Sequence, residues 1–426
     1  MRCLPCVLLL LLWSALADAR NTTSCLDCHG QPGKPARLRD PVKEWHRSVH
    51  YARDVGCQDC HGGDANASDQ QRAMSVQVGY VGVPTATQTP AFCARCHADE
   101  RRMRPYNIPT DQFAQYQQSV HGQLLLGRGD SKAANCVDCH GSHEIRTPND
   151  PRSSVFRVRV PETCGKCHAD PRYMQGYTYQ GKPIPTNQER EYWKSVHGVR
   201  LRDLQPGVPS CADCHGTHGA APPEVQQVAQ VCGSCHAKTE EHFRQGPHAL
   251  ALRRTGRPRC IDCHGQHGIR MPGDRMLQGS SFGHCGACHQ PSTRADLVSV
   301  QIRQLILGTN RQINEASRSL RRAELLHMDV ADGWQQLSQA QTLLTGARDA
   351  QHTATVAEVR KLLGRDSDAE KAIKQTMTLA KVAVQGVRTR RNTLLLMGAF
   401  ILAVCLIVYG KWRQVTADWQ TARSAR

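Results

Sequence analysis

The chain has 426 residues, 21 of them cysteine, and a formal net charge of +17. Only 5% of residues are aromatic and the mean hydropathy is −0.51, which excludes an ordinary apolar core running through the whole length. A chain this basic usually points to nucleic acid or an anionic surface, a reading that the cysteines displace.

Met1 to Ala19 reads as a secretory signal peptide. Arg2 precedes an apolar run from Val7 to Trp13, and Ala17-Asp18-Ala19 supplies the cleavage site. Cys3 and Cys6 lie within it.

From residue 20 to 291 the chain is organised by one pattern, Cys-x-x-Cys-His, which occurs nine times. The cysteine pairs are Cys25 and Cys28, Cys57 and Cys60, Cys93 and Cys96, Cys136 and Cys139, Cys164 and Cys167, Cys211 and Cys214, Cys232 and Cys235, Cys260 and Cys263, and Cys285 and Cys288. The histidines that follow are His29, His61, His97, His140, His168, His215, His236, His264 and His289. This spacing hangs a c-type haem by two thioethers, with the adjoining histidine as proximal iron ligand. Zinc knuckles and thioredoxin-like sites do not require that histidine. Nine covalently attached haems are therefore expected. Their porphyrins would fill the interior, and their propionates account for the positive charge through arginines such as Arg37, Arg95, Arg102, Arg159 and Arg270. No nucleic-acid partner is expected.

The remaining histidines reveal a repeat. WHRSVH ends at His50, YQQSVH at His121, YWKSVH at His197 and FRQGPH at His248, each with an aromatic residue five positions earlier. Each phrase is followed by two haem motifs, giving one haem plus four two-haem modules. Three modules add a histidine after the first motif, at His143, His218 and His267, where the first module has CHGGD and Asp64. These seven histidines are expected as distal iron ligands. For the two sites left over, the expected ligands are His352 and then His46.

After Pro291 proline disappears and helical periodicity begins, so residues 292–391 form an α-helical domain. Three antiparallel helices are predicted over 293–331, 333–352 and 367–410, broken at Gly333 and Gly364. Residues 393–409, TLLLMGAFILAVCLIVY, carry no charge and rise about 25 Å as a helix, which suits a transmembrane anchor. Export of the haem-bearing part would leave residues 410–426 as a cytoplasmic tail.

The motifs, the SVH and CHGxH phrases, the ARDAQHT segment around His352 and the VRTRRNTLLL junction make the chain resemble membrane-anchored multihaem c-type cytochromes of respiratory bacteria. The resemblance implies a multihaem cytochrome c fold: mostly loops and short helices around stacked haems, then an all-α hairpin or bundle and one C-terminal transmembrane helix. It implies mainly bis-histidine iron, an inner-membrane location with the haem domain facing the periplasm, and electron transfer between a membrane quinone-linked partner and periplasmic or outer-surface acceptors. That partner would be a b-type or other quinol-oxidising membrane subunit, and the acceptors periplasmic or outer-membrane redox proteins. The competing reading is an oxidoreductase with one open-site haem acting on a small nitrogen or sulfur compound.

Overall fold

The computed structural model describes residues 23–224, 227–278 and 284–424, with side chains to Asp418. The expected signal peptide lies outside the described residues. The chain divides into two compact units, Met1–Gln227 with His264–Met271, and Val228–Cys263 with Pro272–Arg426.

In the first unit the elements are short helices joined by turns, and two local devices recur. The helices Cys57–His61, Cys136–His140 and Cys211–His215 each span only five residues, too few to persist on helical propensity alone. Each is held by its own aspartate: Asp59 accepts from the Gly56 N–H at 2.7 Å, Asp138 from Asn135 at 2.8 Å and Asp213 from Ser210 at 2.7 Å. The carboxylate thereby closes the first turn, as in a capping box. The glycine after each histidine takes a positive φ, 69° at Gly62, 77° at Gly141 and 84° at Gly216, a conformation that a side chain would strain.

The second device ties the histidine phrase to the motif behind it. Trp45 Nε1 donates to the Val55 carbonyl at 2.9 Å, Tyr116 Oη to Ala134 at 2.9 Å and Tyr192 Oη to Pro209 at 2.7 Å. Small equivalent cores form around Tyr116, Leu125 and Ala133 and around Tyr192, Leu201 and Val208. Successive modules are hooked together through the backbone: Val49 N–H donates to Ile145 O, Val120 to Ala220 and Val196 to Ile269, at 2.8, 3.1 and 2.8 Å. A two-stranded hairpin pairs Thr178–Tyr179 with Lys182–Pro183; Gln180 and Gly181 between them both have positive φ, as a tight primed turn requires.

The second unit holds the motif helix Cys260–His264 up to Cys263, the helices Ala237–Gln245 and Pro247–Thr255, and the long helices beyond Pro291. Arg294–Leu325, Ala331–Ala350 and Asp368–Ser424 pack on one another, joined by a short helix Val356–Leu363 that the sequence reading did not anticipate. Ile302, Ile306, Thr309, Ile313, Ala316, Leu320 and Ala323 alternate at four- and three-residue steps along one buried stripe. Leu337, Leu344, Ile373 and several alanines of the other helices complete this core.

Gly333 does not break a helix. It lies inside Ala331–Ala350, where a Cβ would come within 2.4 Å of Leu320 Cδ2, so glycine there permits close helix approach. The break falls earlier, at His327 with φ 56°. The last helix does not stop at residue 410 either; it continues to Ser424 through the expected tail. Over the apolar stretch its side chains are bare, with Leu396, Phe400 and Ile407 more than 70% exposed. It is long and apolar enough to cross a membrane.

Candidate haem centres

Pairs of histidines face one another among the described residues, with ring centres 6.0 to 6.2 Å apart. His50 faces His97, His121 faces His168 and His248 faces His289. His143 faces His61, His218 faces His140 and His267 faces His215. Every pair joins one motif histidine to one histidine of the repeated phrases. The pairing follows a fixed register: the phrase histidine meets the second motif of its own module, and the CHGxH histidine meets the first motif of the module before.

The separation fits an iron between the rings, since two metal–nitrogen bonds of about 2 Å plus the depth of two imidazoles fill it. His61 Nδ1 lies 2.8 Å from the Gly82 carbonyl and His215 Nδ1 3.2 Å from Ala221. A neutral imidazole donating there keeps Nε2 as a lone-pair ligand. The buried Oε1 atoms of Gln112 and Gln188 have no hydrogen-bond partner. They occupy equivalent places, nine residues before His121 and His197, and with the amide turned over each could donate to a propionate. A cavity beside His140 is lined by Arg146, Arg152 and Lys166, cations suited to the same carboxylates.

Consecutive motifs also come together through their cysteines. Side chains approach one another between Cys25 and Cys57, Cys93 and Cys136, Cys164 and Cys211, and Cys232 and Cys260. Cys60 lies within electrostatic reach of Cys96, Cys139 of Cys164 and Cys167, and Cys263 of Cys285 and Cys288. Of the arginines expected at propionates, Arg95 lies over the Phe92 ring and donates to the Cys60 carbonyl, and Arg102 pairs with Asp99 at 3.6 Å.

His197 follows Ser195 as His50 and His121 follow Ser48 and Ser119. His352 sits in the turn Gln351–Thr353, packed on the helix Ala237–Gln245 that begins directly after His236, and its Nδ1 is 3.0 Å from the Asp349 carbonyl. His46 makes the same kind of contact to Val42 at 2.9 Å, its ring against Trp45 and Tyr51. Among the described residues no imidazole faces His29. Asp64, which stands where later modules have histidine, is held by Arg72 at 3.1 Å.

Residues 49–169, which carry four of the motifs and three complete imidazole pairs, match the cytochrome c3 family. Over 215 residues, half of this chain, the sequence is 29% identical to the C-type polyheme cytochrome OmcC of Geobacter sulfurreducens. Both likenesses support a multihaem c-type cytochrome. The chain spans only 22% of that relative's length. No solved structure matches it.

The aspartate of Cys-x-Asp-Cys-His was missed in the sequence, although its recurrence at Asp27, Asp59, Asp138, Asp213 and Asp262 was visible there. Burial holds the paired His50, His97, His121, His140, His143, His168, His218, His248 and His267 below the ordinary histidine value of 6.5, and His352 likewise. Those imidazoles are therefore neutral at pH 7, the form that offers a lone pair to a metal.

Proposed function

We propose that the chain is a membrane-anchored conduit of nine c-type haems, passing electrons between a quinone-linked membrane partner and periplasmic or outer-surface acceptors. The observation that carries it is the set of imidazole pairs at one separation. Iron bound between two imidazoles supplies one-electron chemistry and keeps no position open for substrate. The chain's own residues then hold: cysteines fix each porphyrin, paired histidines set its axis, and arginines with Gln112 and Gln188 neutralise and orient propionates.

His50, His121, His197 and His248 act as distal ligands together with His143, His218 and His267, and His46 and His352 complete the set. The apolar residues 393–409 cross the inner membrane and leave the motif-bearing part in the periplasm. A b-type or other quinol-oxidising subunit supplies electrons, because the lone helix carries no histidine to bind a haem of its own.

A second reading is favoured at one motif only, Cys25–His29, where Asp64 replaces the repeated histidine. An open iron there would make the protein an oxidoreductase for a small nitrogen or sulfur compound. Low-temperature EPR of the oxidised, detergent-purified protein, integrated against total haem, separates the two. Low-spin iron throughout supports the conduit. One high-spin centre that shifts with nitrite, hydroxylamine or sulfite supports the enzyme.

A further inference from the structure

We infer that a buried serine two residues before the phrase histidine sets the plane of that imidazole, and so sorts the haem centres into two ligand-field classes that alternate along the chain. The inference rests on the bis-histidine reading and deepens it.

The ring planes carry the argument. Taken in motif order, the angle between facing imidazoles is 23° at His61, 63° at His97, 10° at His140, 58° at His168 and 13° at His215. Near-parallel pairs alternate with strongly crossed ones, and the class follows the phrase that supplies the partner. The CHGxH histidines, which follow glycines of positive φ at Gly141, Gly216 and Gly265, give the near-parallel planes. The SVH histidines His50 and His121 give the crossed ones.

A common device stands before the SVH histidines. Ser48, Ser119 and Ser195 are at most 5% exposed. Each hydroxyl donates back to the aromatic residue's carbonyl, to Trp45 at 2.7 Å, Tyr116 at 2.7 Å and Tyr192 at 2.6 Å. Each also accepts the N–H three residues on, from Tyr51 at 3.1 Å, Gly122 at 2.9 Å and Gly198 at 3.0 Å. The histidine lies inside this clamp, so its backbone has one orientation and its ring few rotamers. The fourth phrase is a natural control: Gly246-Pro247 replaces Ser-Val, and the angle between His248 and His289 drops to 32°.

Ring planes are read directly by ferric low-spin iron. Parallel imidazoles split the two iron orbitals that π-bond with the rings and give a rhombic EPR signal. Crossed imidazoles leave those orbitals nearly degenerate and give a steep signal at large g. Second-shell hydrogen bonds that orient a ligand therefore act on iron without touching it.

The test uses the full-length, fully haem-loaded protein. Oxidised wild type is expected to show both signals. Ser119→Gly, which copies the fourth phrase, is expected to move one centre's share of the large-g signal into the rhombic envelope at unchanged haem per chain, while Ser119→Thr retains the wild-type pattern. A single low-spin class in the wild type, or an unchanged large-g signal in Ser119→Gly, overturns the inference and leaves bis-histidine ligation standing. High-spin iron at most centres of the wild type overturns the bis-histidine reading itself.

Discussion

Expressed without haem attachment, the chain is expected to lose residues 23–290 to limited proteolysis while a fragment close to 294–388 survives. The contrast follows from what fills each part. Between Cys25 and His289 the described apolar clusters are small, built around Tyr116, Leu125 and Ala133 or Tyr192, Leu201 and Val208. Five-residue helices cannot persist without tertiary support, and on the proposed reading that support is a porphyrin on each motif. The helical part has its own continuous core from Ile302 to Ala383. Leu320→Ala in that core, where Leu320 is fully buried, should cost about 2–5 kcal/mol and remove the resistant fragment. In the haem-loaded protein the same substitution should leave haem per chain unchanged. Mass spectrometry of the digests reads both outcomes, and a haem-free chain protected from 23 to 290 would sink the idea that porphyrins form its interior.

Truncation after Arg391 is expected to move the protein from the membrane to the soluble fraction with its haem content intact. The removed segment carries an uninterrupted run of bare apolar side chains from Leu394 to Tyr409, whereas earlier in this helix exposed apolar residues such as Leu379 and Val382 stand singly among polar ones. Leucine, isoleucine and phenylalanine each favour the bilayer centre by about 0.3–0.6 kcal/mol, whereas arginine there costs about 2.5–3.5 kcal/mol. Ile401→Arg, near the middle of the stretch, should therefore weaken membrane retention without abolishing it. Carbonate extraction followed by haem staining distinguishes these results. A truncated chain that stays in the membrane would mean that some other part holds it there.

Much of this was legible in the sequence because covalent chemistry leaves an unambiguous pattern. The nine motifs, the four phrases and the helical change after Pro291 need only local spacing, and the three long helices begin at Arg294, Ala331 and Asp368, close to their predicted starts, although the first ends earlier and the last much later than predicted. What could not be read depends on through-space partners. The register that brings His143 to His61 and His218 to His140 is invisible in a chain where every histidine has the same chemistry. It becomes visible only when Val49 and Val120 are seen to bond Ile145 and Ala220. Gly333 misled for a related reason: beside Asp332 it reads as a breaker, and only the approach of Leu320 reveals the demand for a missing side chain. The five-residue motif helices are too short to show a periodicity that would single out their stabilising aspartates.

The hooks at Val49, Val120 and Val196 also bear on how such a chain changes length over generations. Each repeat presents the same joint forward and backward, like staves cut to one template. Recombination between two equivalent phrases would remove or insert a full stave, and the histidine lost to one neighbour would be replaced by its counterpart from the next. Interior centres would keep both imidazoles through such an event; only the two ends, where His29 and the last motifs lie, would need bespoke solutions. The departures from the pattern, CHGGD in the first module and Gly246-Pro247 in the fourth, fall at those ends.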